Sequence, residues 1–116
     1  MVPTLVMLPP QTPTTREWGA RLAAVLSVIS VVVAEDETEA GRVIGDAEAA
    51  FGTISPALLG RALRLRWLQA PQAAPPAGYY YPELIAHPVV ITNFREIYND
   101  HIGAHIMAFV LAFARG

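Results

Sequence analysis

Apolar residues in this chain come in short runs punctuated by proline, glycine and acidic clusters, and the runs follow two rhythms. Leu5 to Leu8 is an unbroken apolar run stopped by Pro9-Pro10, which predicts a buried strand. Thr14-Thr15-Arg16-Glu17 has the spacing of a capping box, with Thr14 as N-cap and Glu17 reaching back. Trp18, Leu22 and Val25 then follow at helical spacing, and Leu26 widens the stripe. Val28 to Val33 is β-branched apart from Ser30 and ends at Glu35-Asp36-Glu37. Such a run predicts a strand buried on both faces, as in a parallel sheet.

The same alternation continues to the end of the chain. Thr38 to Ile44 is a short helix closed by Gly45, and Ala47 to Phe51 a weaker third strand stopped by Gly52. Ser55 is placed to cap a helix whose first residue is Pro56. Arg66 to Ala70 is a fourth strand, Pro71 to Gly78 a proline-rich loop, and Val89 to Thr92 a fifth strand. A last helix starts near Asn99-Asp100 and runs to about Arg115. Strands alternating with helices predict parallel pairing through right-handed crossovers. The expected fold is α/β: a flavodoxin-like, doubly wound, five-stranded parallel sheet in three layers, of order 2-1-3-4-5.

Composition narrows the chemistry. The 116 residues include 53% apolar and 16% charged, enough for one well-buried core. The net charge is −2 and no basic stripe is present, which argues against nucleic acid as a partner. All eight basic residues are arginine, so neither a Schiff-base lysine nor a P-loop lysine exists. The absence of lysine also disfavours a receiver domain. With no cysteine there is no disulfide, thiolate nucleophile or zinc–thiolate site, which fits a reducing, cytoplasmic setting. Residues 1–10 lack a basic region and are broken by prolines, a poor signal peptide. Leu22 to Ala34 is shorter than the roughly 20 residues a bilayer requires.

No GxGxxG follows any of these strands and no GxxxxGK[ST] occurs, so the usual glycine turns for a pyrophosphate are missing. His101 and His105 have the i, i+4 spacing of a zinc pair, but position 102 is Ile and no third ligand is evident. No metal site is expected. Tyr79-Tyr80-Tyr81 beside the proline-rich loop is read as packing that loop onto the sheet.

Three stretches carry a resemblance. Ala47 to Gly52, Leu58-Leu59 and Leu63-Arg64-Leu65-Arg66-Trp67-Leu68-Gln69 look like a third strand, short helix and fourth strand ending in "LRWLQ". Pro82-Glu83-Leu84 followed by Val89-Val90-Ile91-Thr92-Asn93 is similar to a "PEL…VTN" approach to an inter-domain crossing. Ile102-Gly103-Ala104-His105 through Leu111-Ala112-Phe113-Ala114-Arg115 looks like an "IAEH…LALAR" crossing helix, with Ala104 in place of the glutamate. Over residues 47–116 the chain resembles the substrate-binding domain of the D-isomer-specific 2-hydroxyacid dehydrogenase family (phosphoglycerate dehydrogenase-like). The first 46 residues agree in strand–helix order alone.

The resemblance implies an oxidoreductase that acts on the CH–OH group of a D-2-hydroxy acid, or reduces a 2-keto acid, with NAD or NADP. Residues 1–98 are then the flavodoxin-like substrate domain. Residues 99–116 lead toward an NAD-binding domain that the chain does not include. The family's catalytic arginine, glutamate and histidine fall in or after that domain, so no catalytic, cofactor-binding or metal residue is assigned to this chain. The chain alone is expected to bind no cofactor and to be inactive. The family's carboxylate-binding loop aligns with Gln72-Ala73-Ala74-Pro75-Pro76. Gln72, Ala73 and Ala74 are therefore the candidate substrate contacts, through backbone N–H groups. Ala74 stands where the family has glycine, and Pro75 lacks an N–H. Asn93 matches the hinge asparagine; it lies near the cleft or is a turn asparagine bonding its own backbone. The alternative function is a stand-alone flavodoxin-like binding or interaction module. The helix over 100–115 is apolar almost all round and is expected to drive self-association, most simply to a dimer; no membrane partner is expected.

Overall fold

The computed structural model describes residues 2–96 and 99–116; the boundary expected at residue 98 lies outside the described residues. Five strands form one sheet: β1 (Thr4–Met7), β2 (Ser30–Val33), β3 (Ala49–Phe51), β4 (Trp67–Gln69) and β5 (Val90–Thr92). All pairs are parallel and the order is β2-β1-β3-β4-β5, the flavodoxin-like arrangement. The helices are α1 (Pro13–Val25), α2 (Glu37–Val43), α3 (Pro56–Arg61), α4 (Pro82–Ala86) and α5 (Asn99–Arg115), with a 3₁₀ turn at Ile44–Asp46. Helices flank both faces of the sheet, giving a three-layer α/β fold.

Side chains alternate across the sheet, so register decides which residues share a face. Val6, Ala50 and Leu68 stand side by side on one face and are essentially inaccessible to solvent. They meet Ala40 of α2, Ile44, Leu58 and Leu59 of α3 and Leu84 of α4 in one continuous core. On the opposite face Leu5, Ala49, Trp67 and Val90 form one row, and Met7, Phe51, Gln69 and Thr92 the next. Among the described residues α1 is the helix that covers this second face, and Phe94 sets its ring against Phe51 with centroids 6.4 Å apart. The helix lies over the β1–β2 side, where a Cβ on Gly19 would sit 2.4 Å from Val33 Cγ2. Trp18 sets its ring edge-on to Phe51, with centroids 6.0 Å apart. Toward β4 and β5 the second face is open: Trp67 is 47% and Val90 61% exposed.

Several expectations are corrected. The N-cap of α1 is Thr12, not Thr14: its side chain accepts from Thr15 N, and Thr15 Oγ1 accepts from Thr12 N at 2.7 Å. Pro13 decides between the two overlapping cap patterns, because its fixed φ suits the first helical position. Helix α1 buries Gly19 rather than a stripe through Trp18 and Val25, both of which are exposed. The valine-rich β2 is not buried on both faces; it is an edge strand with Ser30 exposed and Val31 to Val33 half-buried. Helix α4 was absent from the expected elements. It has five residues, Pro82 at its start and no side-chain bond from its N-cap Tyr81.

Helix α5 is exposed along its described length, with Ile102, Ile106, Phe109 and Phe113 all facing solvent. Among the described residues no helix is long and apolar enough to cross a membrane.

Candidate functional site

Ligands of open parallel sheets bind beyond the carboxyl ends of the strands, near the point where strand order reverses. Here that point lies between β1 and β3. Hydrogen bonding continues one residue past the strands. Leu8 N donates to Phe51 O (2.8 Å), Gly52 N to Gln69 O (2.9 Å) and Ala70 N to Thr92 O (2.7 Å). The backbone of Gly52 adopts φ +122°, and a Cβ there would meet Leu8 Cβ at 3.3 Å. Glycine therefore lets the exits of β1 and β3 approach each other.

Gln11 ties the neighbouring exits together. Its Nε2 donates to the carbonyls of Met7 (2.9 Å), Leu8 (3.1 Å) and Ala34 (2.7 Å), while its Oε1 accepts from the Thr15 hydroxyl (2.8 Å). Sequence reasoning missed this residue; its only signal was a long amide between Pro9-Pro10 and a helix cap. Arg16 of α1 holds Glu35, past the end of β2, through two nitrogens at 2.8 and 3.0 Å. That contact lowers the Glu35 carboxyl and raises the Arg16 guanidinium, since each charged form favours the other. Ser55 donates its hydroxyl to Glu37.

The loop after β4 is pinned at its far end. Tyr79 is buried and donates its hydroxyl to Gly52 O at 2.8 Å; Tyr81 donates to Ile54 O at 2.7 Å. Burial pushes the Tyr79 phenol up to about 12, with smaller contributions from Tyr80 and Tyr81. Burial and then Glu83 raise Tyr81 as well. Both phenols thus stay neutral donors in ordinary buffers. The tyrosine run packs the loop onto the exit of β3, as its position beside the prolines implied.

Gln72, Ala73 and Ala74 lie in the loop between Gln69 and these anchors, beyond the carboxyl end of β4. Among the described residues nothing accepts a hydrogen bond from their amides; the loop's own backbone bond is Tyr79 N to Pro76 O (3.1 Å). Gln72 and Ala74 are exposed and Ala73 is half-buried. Asn93 follows β5, the strand paired with β4, so it leaves the sheet at the same edge. Its Oδ1 accepts from Arg95 N at 2.9 Å, the local turn bond open to an asparagine there. Arg95 itself pairs with Glu96 at 3.7 Å. Donors at this edge are the loop's backbone amides together with the side chains of Gln72, Asn93 and Arg95. On the open face Trp67 Nε1 donates to Thr92 Oγ1 (2.7 Å), and the Thr92 hydroxyl donates to Gln69 Oε1. That network gave no signal in the sequence.

The turn after β1 does not fit a dinucleotide. It reads Leu8-Pro9-Pro10-Gln11-Thr12, with two prolines where a pyrophosphate cradle needs N–H groups and glycines. Among the described residues no group of three or more His, Asp or Glu gathers to hold a metal ion. His105 instead sets its ring edge-on to Phe109, centroids 4.9 Å apart. Two open depressions lie elsewhere. One is at the opposite strand edge (Glu48, Leu63 to Arg66), the other on α5 (His101, Ile102, His105, Ile106).

The sequence matches no protein-family model and no curated protein. The fold has a solved counterpart. The chain is similar to the crystal structure of a D-isomer specific 2-hydroxyacid dehydrogenase family protein from Aeromonas salmonicida subsp. salmonicida A449, with a TM-score of 0.70 and 20% identity. The alignment covers 97% of this chain and 36% of that one. At this identity the comparison establishes the fold, and this chain spans about a third of the dehydrogenase-family structure's length.

Proposed function

We propose that the chain is the substrate-binding domain of an NAD(P)-dependent D-2-hydroxyacid dehydrogenase. The observation that carries the reading is the fold match: nearly the whole chain aligns to one part of a D-isomer specific 2-hydroxyacid dehydrogenase family protein. The three sequence stretches over residues 47–116 support it independently of the fold. In this reading the domain works in the cytoplasm and holds the carboxylate of a 2-hydroxy or 2-keto acid on the amides of Gln72, Ala73 and Ala74. Asn93 stands at the adjoining strand exit. Backbone amides suit an anion because several donors converge without a bulky cation. Hydride transfer needs a nicotinamide that this chain's residues do not cradle, so no chemical step is assigned to it. By itself the chain turns over no hydroxy acid.

The test is a ¹⁵N amide-shift titration of the 116-residue chain with pyruvate as the probe 2-keto acid, and with pyruvamide as its uncharged control. Saturable shifts confined to Gln72, Ala73 and Ala74, seen with the acid alone and lost in Ala73→Pro, are the expected outcome. Equal shifts with the amide, or none, would sink the carboxylate role. The second reading, a stand-alone binding or interaction module, is favoured by Ala74 and Pro75, which depart from the family loop in the direction of fewer free donors.

A further inference from the structure

Among the described residues, the open part of the sheet face and the exposed helix are two uncharged surfaces that no other element covers. The open face holds Ala49, Trp67 and Val90 in one row and Gln69 and Thr92 in the next, bordered by Phe51 under Trp18 and Phe94, and none of these side chains is charged. It spans β3 to β5, two strand spacings or about 10 Å. That is the width of one α-helix, about 10–12 Å with side chains. From His101 to Ala114, α5 has no Asp, Glu, Lys or Arg. Its apolar residues occupy two sides: Ile102, Ile106, Phe109 and Phe113 on one, Met107, Val110 and Leu111 on the other.

We propose that this sheet face is the seat for α5 of a second copy of the chain, exchanged reciprocally about a two-fold axis. Length decides between this arrangement and folding back onto the chain's own sheet. Seventeen helical residues extend about 25 Å, whereas strands of three or four residues offer about 10–13 Å. One sheet therefore covers about half of the helix, and one of its two apolar sides. A helix folded back on its own sheet leaves the rest in water. In the exchanged dimer one side of α5 lies on the partner's sheet, and the overhanging turns and other side lie against the partner's α5. Seven large exposed side chains from each chain, together with the sheet residues they cover, bury on the order of 1,000 Å² or more, the lower edge of stable protein interfaces. The inference holds whether or not the loop after β4 binds a carboxylate.

The chain has no cysteine, so single thiols report contacts cleanly. Val90→Cys chains are mixed and refolded with Ile106→Cys chains, then treated with a short bismaleimide. The expected product is a mixed covalent pair of twice the chain mass. The double variant Val90→Cys/Ile106→Cys is expected to link between chains as well. A link within one chain at monomer mass overturns the proposal, as do links between helices with none from helix to sheet. The unmodified chain supplies a check that needs no variant to fold. It should sediment as a dimer at tens of micromolar, with Phe109→Glu weakening association roughly tenfold or more. A monomer under those conditions, or hydrogen exchange showing α5 unprotected, also overturns it.

Discussion

The phenol of Tyr79 joins the loop after β4 to the exit of β3, and its bond to the Gly52 carbonyl is buried. Tyr79→Phe keeps the ring but leaves that carbonyl without its donor. We expect a loss of about 1–3 kcal/mol, read from the urea midpoint at neutral pH. The alkaline branch tests the same contact. The phenol is raised from 10.0 to about 12 in the folded protein, so folding favours its protonated form. Its contribution is complete below about pH 10 and is lost as pH rises toward 12. Over that window Tyr79→Phe should lose less stability than the unaltered chain; the raised Tyr81 contributes the same sign in both proteins. Parallel pH curves would show that Tyr79 titrates as an exposed phenol. At this scale the sequence was legible where a side chain serves its own neighbourhood. Asn93 bonds Arg95, and Ser55 caps α3. Gln11, Trp67 and Thr92 act across strands, and only the register brings their partners together.

Elements were legible in kind and in their order across the sheet, less so in how deeply each is buried. The β-branched run around β2 reports hydrophobicity but not cover: the expected order already set this strand at the edge, and there its valines are half-buried rather than buried on both faces. The helix stripe in α1 misled for a related reason. Close approach to the sheet runs through Gly19, which a hydrophobic pattern cannot flag. The two tight glycines predict an order of effects. At Gly19 a methyl meets Val33 Cγ2 at 2.4 Å, but Val33 is half-buried on an edge strand and can change rotamer. At Gly52 the contact to Leu8 Cβ is longer, 3.3 Å, yet φ is +122° and Leu8 is buried. Gly19→Ala should cost about 1 kcal/mol, at the low end of overpacking, and Gly52→Ala about 2–3 kcal/mol. Chemical denaturation of the two variants checks the ranking. A reversed order would mean that α1 is held more rigidly on β2 than the edge position implies.

A compact domain of about 100 residues has a radius of gyration near 13 Å, whereas this molecule measures 17.3 Å with a longest extent of 59 Å. The excess reflects α5, whose apolar surface stays outside the core. Its length and apolarity were plain in the sequence; the open sheet face was not, because it is assembled from three separate strands. If association buries that face against α5, its response to salt follows from composition. Neither surface carries a charged side chain between His101 and Ala114 or in the row from Leu5 to Val90, so simple salt has little to screen. Sulfate, excluded from protein surface, strengthens apolar burial. Sedimentation equilibrium should therefore give a dimer dissociation constant that changes less than about threefold between low and roughly 0.5 M sodium chloride, and that falls in ammonium sulfate. A charge-mediated dimer would behave in the opposite way. One built on the Glu48, Arg64 and Arg66 edge would come apart as sodium chloride rises, placing the contact on the amino ends of the strands rather than on the uncharged face that seats α5.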